Sequence, residues 1–200
     1  MKKVLLVTDG FIHPPFLARQ ALHQTLAELD SFVFRHVRSM EKLPNDLGGY
    51  SALVIYIHHK KISDGALEKL DGFVSNGGGI LGVHSATASF KDQKHYFEIL
   101  GGSFIGHGKV EEIRVENSKS EIFGDIGDFV IKDELYIHEL QPGITPHFTA
   151  THEGQEVPIV WTYQYSTGKV CYVLPGHTTR SLKHPSVQEI LRSGLGWVCA

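Results

Sequence analysis

The chain has 200 residues, 42% of them hydrophobic and 20% charged, which suits one soluble globular domain with a single sizeable core. A net charge of −3 with no basic stripe argues against nucleic acid as a partner, and no apolar run approaches the length of a membrane span. The two cysteines, Cys171 and Cys199, follow no framework of spacings and read as reduced thiols of a cytoplasmic protein; the departure from the ordinary is thirteen histidines.

The apolar start is cut by Asp9 and Gly10, too early for a secretory leader, so "KVLLVT" (3–8) reads as a first strand buried on both faces. Pro14 and Pro15 open a helical pattern with Leu22, Leu26 and Leu29 on one stripe. "FVFRHV" and "ALVIYI" are the next strands. Ser63 is placed to cap a helix carrying Leu67, Leu70 and Val74, and Asn76-Gly77 ends it. "ILGVH" is a fourth strand, followed by a short helix around 92–100. This alternation predicts a mainly parallel sheet with helices on both faces. From Glu111 to Tyr165 the pattern changes to strand-like runs, "EIRVE", "FVIKDELYIH", "HFTATHE" and "PIVWTYQY", which predict an antiparallel lobe. "VCYVLP" returns as a last core strand, and Pro185 opens a closing helix.

Ligands of open α/β sheets sit beyond the carboxyl ends of the strands. His13 follows the first strand, His58 and His59 the third, His84 the fourth and His177 the last. Loop polarity alone also scatters histidines, and His58 and His59 beside two lysines read as solvent-facing. In "DELYIH" an extended backbone puts Glu134, Tyr136 and His138 on one side, with Asp133, Leu135 and Ile137 on the other. "FIGHGK" sets His107 between glycines, which permit either a turn or a close approach to a ligand. Gly77, Gly79 and Gly82 match G-x-G-x-x-G by letter, but at a helix-to-strand junction, the reverse of the dinucleotide fingerprint. Cysteine pairs and H-E-x-x-H are absent. A metal such as zinc is left to distant ligands, with His84, His107 and His177 as the candidate set.

"GGGILGVHSAT", "GGSFIGHG", "DELY", "PIVW" and "GHTTRSLKHPSVQEILRSGLGW", in that order, resemble the blocks of the ThuA-like (trehalose-utilisation) family over residues 3–197. The resemblance implies a class I glutamine amidotransferase-like fold, a flavodoxin-like three-layer α/β sandwich, over one domain, 1–200. It also implies shared polar positions at His84, His107, Glu134, His177 and Thr178, with Tyr136 and Trp161 nearby. In true amidotransferases the elbow after the central strand carries a nucleophilic cysteine; here that position holds His84. The expected activity is therefore not a thiol reaction. It is acid–base chemistry on a sugar or oxidised sugar, with His84 and His177 exchanging protons and Glu134 orienting an imidazole. His13, Ser85, His107, Tyr136, His138, Trp161 and Thr178 are the expected substrate contacts. A metal-assisted hydrolase and a non-catalytic sugar-binding or regulatory module are the alternatives. The expected partner is a small sugar, and self-association is left open.

Overall fold

Burial on two faces explains why the early strands are almost wholly apolar. A computed structural model describes residues 1–10, 15–118 and 120–200. In β1 (Lys2–Gly10) Val4 and Leu6 join one core with α1 (Pro15–Leu26), while Leu5 and Val7 join a second core on the opposite face. The same alternation runs through β3 (Ala52–His58), whose first six residues are all buried. The second core is covered by α2 (Asp64–Ser75) through Leu67, Leu70 and Val74. Ser63 caps α2 as its side chain predicts, accepting the Ala66 amide at 3.2 Å, and Gly77 ends the turn at φ +93°. The predicted helix opener Pro14 lies outside the described residues; α1 begins at Pro15 and stops at Leu26, short of Leu29.

The remaining elements are β2 (Phe32–Val37), β4 (Gly79–Val83), α3 (Lys94–Leu100), β5 (Gly102–Asn117), β6 (Phe129–Leu140), β7 (Thr145–His152), β8 (Gln155–Tyr165), β9 (Gly168–Val173), α4 (Thr179–Leu182) and α5 (Pro185–Val198). They form one nine-stranded sheet of order β2-β1-β3-β4-β9-β8-β7-β5-β6. Among the described residues, β2, β1, β3, β4 and β9 pair in parallel. From β9 outward every pairing is antiparallel.

One expectation needs correcting here. The sheet is mixed, half parallel and half antiparallel, so "mainly parallel" describes only its first half. The antiparallel strands are attached to that sheet and continue it, because β9 pairs with β4 on one side and β8 on the other. In addition, β5 starts at Gly102, so "FIGHGK" is strand and His107 sits between two register shifts of a bulged strand. Bulges bend a strand and raise its twist. The bend matters: β6 ends the strand order four places from β9, yet Asp133 and Glu134 of β6 bond residues just after β9. The antiparallel half therefore curls back over the carboxyl edge of the parallel half. No helix among the described residues is long and apolar enough to cross a membrane.

Candidate functional site

His84 is the first residue beyond β4 and takes φ +44°, followed by a single 3-10 turn over 84–86. A non-glycine residue held there costs of order 1–3 kcal/mol, so the surroundings must enforce it. They do so through the backbone and the ring. His138 Nε2–H donates to Thr87 Oγ1 (2.9 Å), Thr87 donates to Tyr172 Oη (2.9 Å), and Tyr172 donates to the His84 carbonyl (2.8 Å). The His84 ring is held at both nitrogens. Nδ1 lies 3.0 Å from the Leu174 carbonyl, which can only accept, so Nδ1 carries the hydrogen. Nε2 is then a bare acceptor and takes the Tyr136 hydroxyl at 2.9 Å. The ring is fully buried.

His177 completes the cluster from the other side. Its ring centroid is 5.5 Å from that of His84, and its Nδ1 is 3.0 Å from Glu134 Oε2. The loop carrying it is fixed by Asp133, a wholly buried carboxylate. Asp133 accepts the amides of Glu134 (2.7 Å), Gly176 (2.9 Å) and His177 (3.3 Å). Burial pushes the Asp133 carboxyl above its ordinary value, and the hydrogen bonds from Ser181 and those amides oppose the rise. Tyr56 ties the same loop by donating to the Gly176 carbonyl at 3.0 Å. Gly176 permits the close approach: a Cβ there would stand 2.9 Å from His84 Cβ.

His84, Glu134 and Tyr136 thus come together with His177, as expected. His107 stands at the rim, 46% exposed, 3.7 Å from Glu134 Oε1 and bonded to the Gly108 carbonyl. Ser85 is fully buried. His13 lies outside the described residues. Three expected substrate contacts have structural partners. Trp161 has no exposed surface; it stacks on Tyr172 at 4.2 Å and donates to the Leu100 carbonyl. Thr178 caps α4 through the Ser181 amide. His138 sits in the chain that locks the His84 peptide, with burial pushing it down to about 3. Strand alternation cannot separate a pocket-facing imidazole from one bonded to a neighbouring turn. Trp161→Ala should lower unfolding free energy by about 3–5 kcal/mol, the range for a large buried aromatic. Chemical denaturation checks this, and a loss below 1 kcal/mol would return Trp161 to the pocket wall.

Asp133, Thr87, Tyr172 and Tyr56 were not expected. Asp133 carried a signal, since it is an acid on the otherwise apolar face of Leu135 and Ile137. The tyrosines and Thr87 carried none. One ligand atom from each of His84, Glu134 and His177 lies within 4.8 Å of the others, a set compatible with a cation. The expected metal set named His107 in place of Glu134; His107 is outside this group because its ring turns toward its own strand's carbonyl.

The fold and this cluster define an α/β protein with a histidine, not a cysteine, at the turn after a central strand. The chain belongs to the ThuA family, described as trehalose utilisation, whose pattern matches residues 3–198. Its backbone is similar to a ThuA-like protein from Parabacteroides merdae (TM-score 0.88, 20% identity, 100% of this chain and 90% of that one). It is also similar to a cytoplasmic protein from Salmonella typhimurium LT2 (0.76, 15%, 98% and 99%). A β-galactosidase from Rahnella sp. R3 matches over 98% of this chain but 31% of its own (0.68, 14%). At these identities the likeness is one of fold. No curated protein matches the chain.

Proposed function

We propose that the chain is an enzyme that moves protons on a sugar or an oxidised sugar, with His84 as base and His177 as its acid partner. The observation that carries this reading is the His84 tautomer. Leu174 holds the proton on Nδ1, so Nε2 is a buried base already engaged with the Tyr136 hydroxyl. Burial and the charges of Glu134 and Asp133 push the phenol upward, so Tyr136 stays neutral and passes a proton rather than resting as phenoxide. Glu134 faces His177 Nδ1 and offsets the positive charge of its proton-carrying form until that proton is given to the substrate. On a keto-sugar these groups remove a proton beside the carbonyl and return one to the leaving oxygen or the neighbouring carbon. The family's tie to trehalose utilisation supports sugar as the substrate class.

The reading extends to the scaffold. Helices on both sheet faces and a positive-φ residue after β4 support an amidotransferase-like three-layer arrangement over 1–200, in a cytoplasmic protein, with the thiol chemistry lost. Cys171 is wholly buried and its thiol pushed far up; Cys199 is pushed up to about 11. Glutamine should therefore release no ammonia. Release that survives Cys171→Ala with Cys199→Ala would reveal another nucleophile.

The test of the reading is proton exchange in heavy water, followed by NMR over a panel of keto-sugars and their parent glycosides. Wild-type protein should exchange or eliminate at the carbon beside the carbonyl, and His84→Gln should not. A sugar that binds but neither exchanges nor reacts would make the chain a binding or regulatory module.

The compact His84–Glu134–His177 group favours a second reading, a metal-assisted hydrolase. A histidine ligand commonly gives its other N–H to a carbonyl, as His84 does to Leu174. Tyr136 would then release Nε2 to the cation. Elemental analysis after incubation with zinc decides between the two. This reading expects one equivalent per chain, lost in Glu134→Gln and His177→Ala but kept in His107→Ala. The proton-transfer reading expects no stoichiometric metal and activity that survives chelation.

A further inference from the structure

A concave region lies beyond the ends of β1 and β2, apart from the histidine cluster. Thr8, Asp9, Phe16, Arg19, His36 and Arg38 line a cavity of about 280 Å³. A neighbouring cavity of about 400 Å³ between α1 and β2 shares Phe16, Arg19 and His36, so the two form one groove. Its charged lining is two arginines against one carboxylate. Among the described residues, no carboxylate lies within ion-pair distance of Arg19 or Arg38. Asp9 also lines the groove, but its Oδ2 is 2.9 Å from His59 Nε2 and its Oδ1 accepts the Gly10 amide.

The guanidinium of Arg19 is pre-positioned. It donates to His36 Nδ1 at 3.3 Å and lies 5.1 Å from the centre of the Phe16 ring. Arginine only donates, so His36 Nδ1 accepts and its Nε2–H donates to Thr8 Oγ1 at 2.7 Å. His36 is therefore neutral, a spacer between two cations. Burial and both arginines hold its titration below the ordinary value. Among the described residues, the two like charges of this cleft have no carboxylate paired to them that would offset their repulsion. Phe16 is 60% exposed beside them and offers an apolar face.

We infer that this groove binds the anionic group of a phosphate- or carboxylate-bearing small molecule. Arg19 and Arg38 take the charge, and Phe16 packs on the attached sugar or carbon skeleton. The groove is separate from the histidine cluster: three strand spacings, roughly 14 Å in all, lie between β2 and β4. It does not depend on the chemistry at His84.

The test is an amide NMR titration of the whole chain with inorganic phosphate, glucose 6-phosphate, gluconate and glucose. Saturable shifts are expected at Thr8, Arg19, His36 and Arg38 with anionic probes and not with glucose. A tighter response to glucose 6-phosphate assigns phosphate; a tighter response to gluconate assigns carboxylate. Arg19→Gln and Arg38→Gln should each weaken binding roughly tenfold, the loss of one charge-assisted contact, and sodium chloride should weaken it in the wild type. Both side chains are solvent-accessible, so the variants should fold. No saturable shift at these residues, or unchanged affinity in the double variant, overturns the inference. Because the readout is binding without turnover, either result leaves the proton-transfer reading untouched.

Discussion

Stability should fall steeply as pH is lowered from about 6.5 towards 4, before most carboxylates titrate. Two histidines cause it, His147 buried and His138 half-buried. Burial holds His138 at about 3 and His147 at about 4, while the unfolded chain protonates both near 6.5. His147 is 5% exposed and meets Thr162 Oγ1 at 2.7 Å, and among the described residues no carboxylate is paired with it. Below 6.5 the unfolded state binds the protons and the folded state does not, so unfolding is favoured as pH drops. Above 6.5 both states are neutral and the effect vanishes. Each group contributes up to about 1.4 kcal/mol per pH unit over its window. From pH 6.5 to 4.5 the pair can remove several kcal/mol, a large share of a typical domain's stability. Asp133 works with the opposite sign. Its raised carboxyl takes up a proton earlier in the folded state and restores some stability at the acid end. Urea titrations at pH 7, 6 and 5 should show the slope. His147→Gln should remove about half of it. If stability is flat over that range, the two imidazoles are hydrated and the burial argument fails.

His84→Asn should abolish catalysis while leaving the fold intact. Asparagine tolerates positive φ better than most residues, and its amide can still donate to the Leu174 carbonyl. What it lacks is the second ring nitrogen that, on the proton-transfer proposal, receives the Tyr136 proton. Loss of a positioned acid–base group lowers the rate by about 10²–10⁴-fold. Tyr136→Phe, which keeps the ring and removes only the relay, should lower the rate by less, with the keto-sugar still bound. The measurement is the heavy-water exchange rate with thermal unfolding as the control. Wild-type exchange in His84→Asn would show that the base lies elsewhere. A large stability loss in the same variant would show that the ring, not the bond to Leu174, holds the turn.

What the sequence determined was everything that a local pattern can encode. Apolar runs marked β1, β3, β4 and β9, because a strand buried on both faces takes mostly apolar residues. Ser63 and Gly77 marked the ends of α2, because a hydroxyl cap and a positive φ are properties of single residues. The exits of those strands placed His84 and His177 at one edge, since parallel strands deliver their carboxyl ends together. "DELYIH" offered Glu134 and Tyr136 on one side. Tertiary structure decided what no local pattern contains. It curled the bulged β5–β6 ribbon over the edge, four strands out of order, and so brought Glu134 to His177 and Tyr136 to His84. It set the His84 tautomer through a carbonyl ninety residues away in the chain. It gave Trp161 and His138, candidate sugar contacts, packing and hydrogen-bond partners beside the site. It also gave Asp133 three amides to hold. Such contacts join residues far apart in the chain. Their energies depend on register, bend and the alignment of a few donors, and the side chains alone do not specify these.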